Sequence, residues 1–168
     1  IIMFVIFGQF LQNTVLGQFF MNMAMALFGH LRGGPAKVGV VGSLLFGTLT
    51  GSPNANVAAI GSFTIPMMKR VGYSANFAGA VESVASTGGQ IMPPVMGTSA
   101  FIMAQMLNIP YWSVCTAALI PALLYYIALF AAVDAEAVKH RLMGLPRDQS
   151  PSVIKTLKEG WTALIPLV

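Results

Sequence analysis

Between Lys37 and Lys69 the chain carries no charge, yet the middle of that run is the polar sequence Thr50-Gly51-Ser52-Pro53-Asn54-Ala55-Asn56. This pattern restricts the fold more than any other feature. A single membrane span would put the two lysines on opposite sides of a bilayer. Two full spans would need about 40 apolar residues, more than the segment holds. Each apolar leg has about 13 residues, roughly 20 Å of helix, enough to reach the bilayer centre and return. Residues 33–73 therefore predict a re-entrant helical hairpin with its tip at 50–56. Such a tip is tolerated at membrane depth only inside protein or against a cavity.

A second interruption follows. Residues 74–108 are too long for one simple span, and Ser86-Thr87-Gly88-Gly89-Gln90-Ile91-Met92-Pro93-Pro94 cannot continue a helix. The glycines favour a turn and the prolines remove amide donors. The segment predicts a broken transmembrane helix with its break at 86–97. Around these two elements the pattern predicts a transmembrane helix at 1–32, another at 109–133 opened by Tyr111 and Trp112, a polar cytoplasmic loop at 134–158, and the start of a further span at 159–168. The chain opens and closes within apolar runs, which predicts a piece of a longer polypeptide.

Composition supports an all-α, multi-pass membrane protein. Hydrophobic residues make up 56% and charged residues 8% of the chain, with a mean hydropathy of +0.75. Soluble domains carry about 25% charged residues and need them to cover their surface. The net charge of +4 does not indicate nucleic acid, because the basic residues are not clustered with stacking aromatics. They lie between apolar segments, at Arg32, Lys37, Lys69, Arg70, Lys139, Arg141, Arg147, Lys155 and Lys158. With the hairpin returning to its own side, all nine fall on one face. The positive-inside rule makes that face cytoplasmic, as in a bacterial or archaeal inner membrane.

Catalytic and metal chemistry find no constellation in the sequence. Cys115 is the sole cysteine, so neither an internal disulfide nor a zinc motif exists. Ser52, Ser83, Ser86 and Ser99 have no His or Lys at matching depth to activate a nucleophile. His30 and His140 fall at the interface and in the loop. The reading is a transporter, not an enzyme, without a bound cofactor.

The breaks carry the chemistry. Ser52 before Pro53 is an N-cap followed by a proline at the first helical position. The second leg thus starts with its positive dipole end at mid-membrane. The first leg ends at Thr50 and Gly51 with unpaired carbonyls, and Asn54 and Asn56 add amide groups. The broken helix repeats the arrangement: its first half ends at Thr87-Gly88-Gly89, and the extended Met92-Pro93-Pro94 stretch leaves those carbonyls without local partners. Secondary transporters place ion and substrate sites at paired discontinuities of this kind. Glu82 is the sole acid within a membrane segment. It reads either as a functional carboxylate or, the favoured expectation, as a structural partner of Lys69 or Arg70.

Three stretches carry a resemblance to a known family: Gly47-Thr48-Leu49-Thr50-Gly51-Ser52-Pro53-Asn54-Ala55-Asn56-Val57, Phe63 through Tyr73, and Ala78-Gly79-Ala80-Val81-Glu82 through Gly88-Gly89-Gln90-Ile91-Met92-Pro93-Pro94-Val95-Met96-Gly97. They resemble the large membrane subunit of TRAP transporters over about Gly8 to Pro146. Together with the Arg32-Gly33-Gly34-Pro35-Ala36-Lys37 turn, they look most like the fused 4TM/12TM permeases that work with TAXI-type binding proteins. The resemblance implies an inverted-repeat, elevator-type fold of the ion transporter superfamily, of which this chain would supply the first repeat. It implies sodium-coupled uptake of small carboxylates delivered by an extracytoplasmic solute-binding protein, with a small membrane subunit or fused 4TM region as a further partner. By position it assigns the first sodium site to Ser52, Asn54, Asn56, Gly88, Gly89, Met92 and Pro94, with Thr50, Gly51, Thr87 and Glu82 as secondary candidates. A proton-coupled exchanger or channel on the same architecture, with Glu82 as its titratable group, and a non-transporting membrane scaffold are the alternatives.

Overall fold

The computed structural model describes residues 15–144. The beginning of the 1–32 segment, the part of the polar loop beyond Gly144 and the span expected from residue 159 lie outside the described residues. Within them the fold is a helical bundle. Helix α1 (Val15–Phe28) leads through a glycine-rich turn into α2 (Gly34–Thr50). A two-residue tip separates α2 from a leg made of α3 (Pro53–Asn56), a π-helical turn (Val57–Gly61) and α4 (Ser62–Arg70). Then come α5 (Ala75–Gly88), a non-helical break, α6 (Thr98–Leu107) and α7 (Tyr111–Lys139).

The helix ends follow local chemistry. Gly33 takes a left-handed φ of 64° just before α2, and Pro35 occupies its first turn. Gly51, at φ 56°, ends α2 and donates its N–H to the Gly47 carbonyl. Ser52 caps α3 by accepting from the Ala55 N–H at 3.4 Å. Ser74 caps α5 by accepting from the Phe77 N–H at 3.2 Å. Asn108 closes α6 in the left-handed conformation, φ 52°. With 17 residues, α2 is longer than the 13-residue leg estimated from sequence and spans about 25 Å.

Helices α2 and α5 form the centre. α1 packs on α2, while α4 and α7 each pack on both. Small side chains contribute to the contact surfaces: Ala36, Ala78, Ala85, Ala122 and Ala137 are buried in the main cluster beside Val40, Met68, Val81, Tyr126 and Val133. In lipid, where apolar side chains gain little by leaving the solvent, such residues let backbones approach and maximise dispersion contact. At one end of the bundle Gly33, Tyr73 and Ala137 meet: a Cβ on Gly33 would stand 2.6 Å from both the Tyr73 hydroxyl and the Ala137 Cβ. The start of α2, the turn after α4 and the end of α7 therefore share that end, bringing Arg32, Lys37, Lys69, Arg70 and Lys139 to it.

Helix α7 runs six residues past the expected end at Val133. Asp134 and Glu136, read as loop residues, belong to its last turns. The reason is tertiary: Asp134 accepts from Arg32 at 3.0 Å and from Lys37, whose ammonium also lies 5.2 Å from the Phe130 ring centre. Glu136 is held by His140 at 3.1 Å. At 29 residues, with an 18-residue stretch of mean hydropathy 2.1, α7 is the one helix among the described residues long and apolar enough to cross a bilayer.

Candidate functional site

The two interruptions meet. The Val95 N–H donates to the Thr48 carbonyl at 3.3 Å, a backbone bond from the break to the last turn of α2. A Cβ on Gly51 would lie 1.9 Å from the Met96 carbonyl oxygen, and one on Gly47 would lie 2.8 Å from Gly89 Cα. Glycine at 47, 51 and 89 lets the hairpin and the break touch backbone to backbone. On the break side, Gly97 N–H donates to the Gln90 carbonyl at 2.8 Å, closing the loop on itself. The Pro93–Pro94 peptide bond is cis. The stretch expected to be extended is instead a series of turns.

Those turns change the carbonyl accounting. The amides of Gly89, Gln90 and Ile91 bond back to the carbonyls of Ser86, Thr87 and Gly88, at 3.2, 3.1 and 3.1 Å. The end of α5 is thus satisfied locally by a tightened last turn, contrary to the expectation that its carbonyls lack local partners. The same tightening diverts the Gly89 N–H from Ala85, and the Ala85 carbonyl accepts from the Tyr126 hydroxyl at 2.9 Å instead. Helix α7 pins the break a second time: the Tyr111 hydroxyl lies 3.0 Å from the Pro94 carbonyl and also contacts the Val95 carbonyl.

The predicted site residues divide. Asn56 is fully buried beside the crossing, with its Nδ2 3.2 Å from the position of a Cβ on Gly47. Its Nδ2 donates to the Ser43 carbonyl at 2.9 Å, and its Oδ1 has no partner among the described residues. A carbonyl oxygen only accepts, so this bond fixes which end of the amide is nitrogen. Gly51 and Gly89 stand at the junction as described. Ser52 spends its hydroxyl on the cap, and Asn54 is exposed. Gly88 packs under Tyr125 and Tyr126, and Met92 is buried in the main core cluster. The Pro94 carbonyl is taken by Tyr111. Thr50 and Thr87 bond within their own helices, to Phe46 at 3.3 Å and Ser83 at 2.8 Å. Gly47, Thr48, Val95 and Met96, which the sequence does not single out, complete the junction with Gly51 and Gly89.

Glu82 departs from expectation. Lys69 and Arg70 are exposed, and the carboxyl is fully buried. Ser43 donates to its Oε1 at 2.7 Å, Ser86 to the same oxygen at 3.2 Å, and Thr64 to Oε2. Hydroxyls on both hairpin legs and on α5 replace the anticipated cation. Among the described residues, no group of three or more His, Cys, Asp or Glu converges, so oxygen donors at the junction are neutral amides, hydroxyls and backbone carbonyls. A groove of about 670 Å³ along α2 and α7, near Lys37 and Phe130, is separate from the junction.

The sequence profile of the DctM component of the tripartite ATP-independent periplasmic transporters matches residues 1–168. The chain belongs to this family. It is 28% identical over 162 residues to the sialic acid TRAP transporter large permease protein SiaM of Vibrio cholerae, covering 96% of this chain and 38% of the relative. It is 31% identical over 144 residues to the C4-dicarboxylate TRAP transporter large permease protein DctM of Pseudomonas aeruginosa, covering 86% of this chain and 33% of the relative. It is 30% identical over 175 residues to the isethionate TRAP transporter permease protein DctMQ of Oleidesulfovibrio alaskensis, covering 98% of this chain and 26% of the relative. The DctM-family chain thus spans roughly a quarter to two fifths of the relatives' length. The junction of hairpin tip and break belongs to that shared segment.

Proposed function

We propose that this chain supplies the first repeat of a sodium-coupled permease that takes up small organic acids across a bacterial or archaeal inner membrane. Family membership supports the transport class, and relatives named for sialic acid, C4-dicarboxylates and isethionate support an anionic substrate. The single observation that carries the coupling is the buried Asn56 Oδ1, unpartnered among the described residues, on an amide whose Nδ2 lies against the backbone crossing of Gly47 and Gly89. A buried amide oxygen without a donor costs free energy, and a cation relieves that cost. Neutral oxygen donors suit a hard alkali ion. An ion held between hairpin and break would order both and so complete the pocket for substrate.

The partners follow from the same reading: an extracytoplasmic solute-binding protein, of TAXI type by resemblance, and a small membrane subunit or fused 4TM region. The basic end of the bundle, where Arg32 and Lys37 meet Asp134, faces the cytoplasm, and the hairpin is re-entrant.

The test uses the full-length permease with its membrane subunit and binding protein in proteoliposomes. Uptake of labelled dicarboxylates and amino acids is followed with and without an inward sodium gradient. Sodium-dependent uptake that Asn56→Leu weakens supports the reading. Uptake driven by a proton gradient alone, indifferent to sodium and abolished by Glu82→Gln, replaces it with a proton-coupled exchanger.

A further inference from the structure

Glu82 sits where three elements can be tied by one side chain. Its hydroxyl partners are Ser43 on α2, Thr64 on α4 and Ser86 one turn along α5. Space for it is made by glycine. A Cβ on Gly61 would lie 2.9 Å from Glu82 Cγ, and one on Gly39 would lie 3.5 Å from Oε2. Of the basic residues nearest in sequence, Lys69 and Arg70 are exposed, and Lys37 is committed to Asp134. A buried carboxyl is costly unless its oxygens are met by donors, and here both are.

The network does not end at the carboxyl. Ser43, whose hydroxyl binds Glu82, is the residue whose carbonyl takes the Asn56 Nδ2. The orientation of the Asn56 amide, and so the place of its unpartnered Oδ1, depends on where Ser43 stands. Thr64 ties the far leg to the same carboxyl, across the π-helical turn that follows Asn56.

We propose that Glu82 is a positioning residue for the hairpin tip: by holding Ser43 and Thr64 together it fixes the Asn56 amide at the Gly47–Gly89 crossing, and with it the direction in which the Oδ1 points. The proposal rests on the reading of Asn56 as a cation ligand. It assigns Glu82 a geometric role that needs hydrogen bonding and not a transferable proton. Glutamine can fill that role. Its Oε1 accepts from Ser43 and Ser86, and its Nε2 donates to Thr64 Oγ1, whose own proton turns to the Ile60 carbonyl 3.1 Å away.

The experiment is a sodium titration of uptake by the complete transporter in proteoliposomes. Glu82→Gln is expected to keep a sodium half-saturation near the parent value. Glu82→Ala is expected to raise it about tenfold, the loss typical of an abandoned buried hydrogen bond, with the maximal rate at saturating sodium retained. Ser43→Ala and Thr64→Val cut one tether each, raise the half-saturation by less, and carry the test where Glu82→Ala does not yield folded protein. The proposal is overturned if Glu82→Gln is as defective as Glu82→Ala. It is also overturned if the alanine and tether variants lower yield or maximal rate with sodium half-saturation unmoved. A parent transporter indifferent to sodium removes the ligand reading and this proposal with it; a sodium-responsive parent with flat variants removes this proposal alone.

Discussion

The contact between Gly47 and Gly89 sets a sharp quantitative expectation. A Cβ on Gly47 would stand 2.8 Å from Gly89 Cα, and a Cβ on Gly89 would stand 2.7 Å from Gly47 Cα. Carbon atoms in contact sit about 3.5–4.0 Å apart, so an alanine at either site forces hairpin and break apart by roughly 1 Å. Both obstructing atoms are backbone, and no rotamer change relieves them. Overpacking of this kind costs about 1–3 kcal/mol. Helix propensity works the other way at Gly47, because replacing an interior helical glycine by alanine gains about 0.5–1 kcal/mol. Gly79 provides the control: it lies in α5, and a Cβ there meets nothing within 4 Å. Gly79→Ala should therefore raise the thermal midpoint of the detergent-solubilised full-length permease, while Gly47→Ala and Gly89→Ala lower it. The Gly47 change should also lower sodium affinity, because it separates the two elements where the ion is proposed to sit. Midpoints for Gly47→Ala and Gly89→Ala that rise alongside Gly79→Ala would refute the backbone contact and the junction built on it.

Two further outcomes follow from the way α7 holds the rest. Tyr126→Phe leaves the Ala85 carbonyl without its donor in the core and should destabilise by about 1–3 kcal/mol in a reversible unfolding assay. Tyr125→Phe removes a bond to the Val84 carbonyl in an exposed setting and should cost under about 1 kcal/mol. Asp134→Asn should lower the thermal midpoint, because it strands the buried Lys37 ammonium, and adding Lys37→Met should recover part of the loss. A double variant no better than Asp134→Asn alone would show that the pair is not what holds α7 against α2.

The interruptions were legible because their signals are local. Gly51-Ser52-Pro53 contains a left-handed terminator, a cap and a first-turn proline in consecutive positions, and the structure places α2 and α3 on either side of them. Gly88-Gly89 followed by two prolines likewise permits no helix, and α5 stops at Gly88. The end of α7 was not legible. Asp134 and Glu136 read as a polar loop when taken alone; Asp134 is held by Arg32 and Lys37, about a hundred residues earlier in the chain, while Glu136 pairs locally with Lys139 and His140. Which residues form the junction was also hidden. Site residues were sought among polar side chains and prolines, whereas the closest approaches are made by glycines and by the Thr48 and Met96 carbonyls, groups every residue possesses. Composition carries no information about which backbone atoms meet.

Glu82 shows why charge pairing is a poor guide inside such a bundle. Sequence proximity suggests Lys69 or Arg70, yet α4 places both on its exposed side while Thr64, five and six residues earlier, faces α5. Helical register decides this. Residues five or six apart on a helix lie well off a common face, so the turn that buries Thr64 exposes Lys69 and Arg70. The carboxyl is then matched by hydroxyls, which satisfy its oxygens without bringing a second ion out of water, and the cost of burying a full ion pair is avoided. Small hydroxyl side chains also fit between helices that pack through alanine and glycine, where the long stems of lysine and arginine do not. Close packing and carboxyl satisfaction by hydroxyls are thus two consequences of one constraint, the short distance between α2, α4 and α5. A bulky substitution at Gly39 or Gly61, which would widen that distance, acts on the Glu82 network without touching the carboxyl itself.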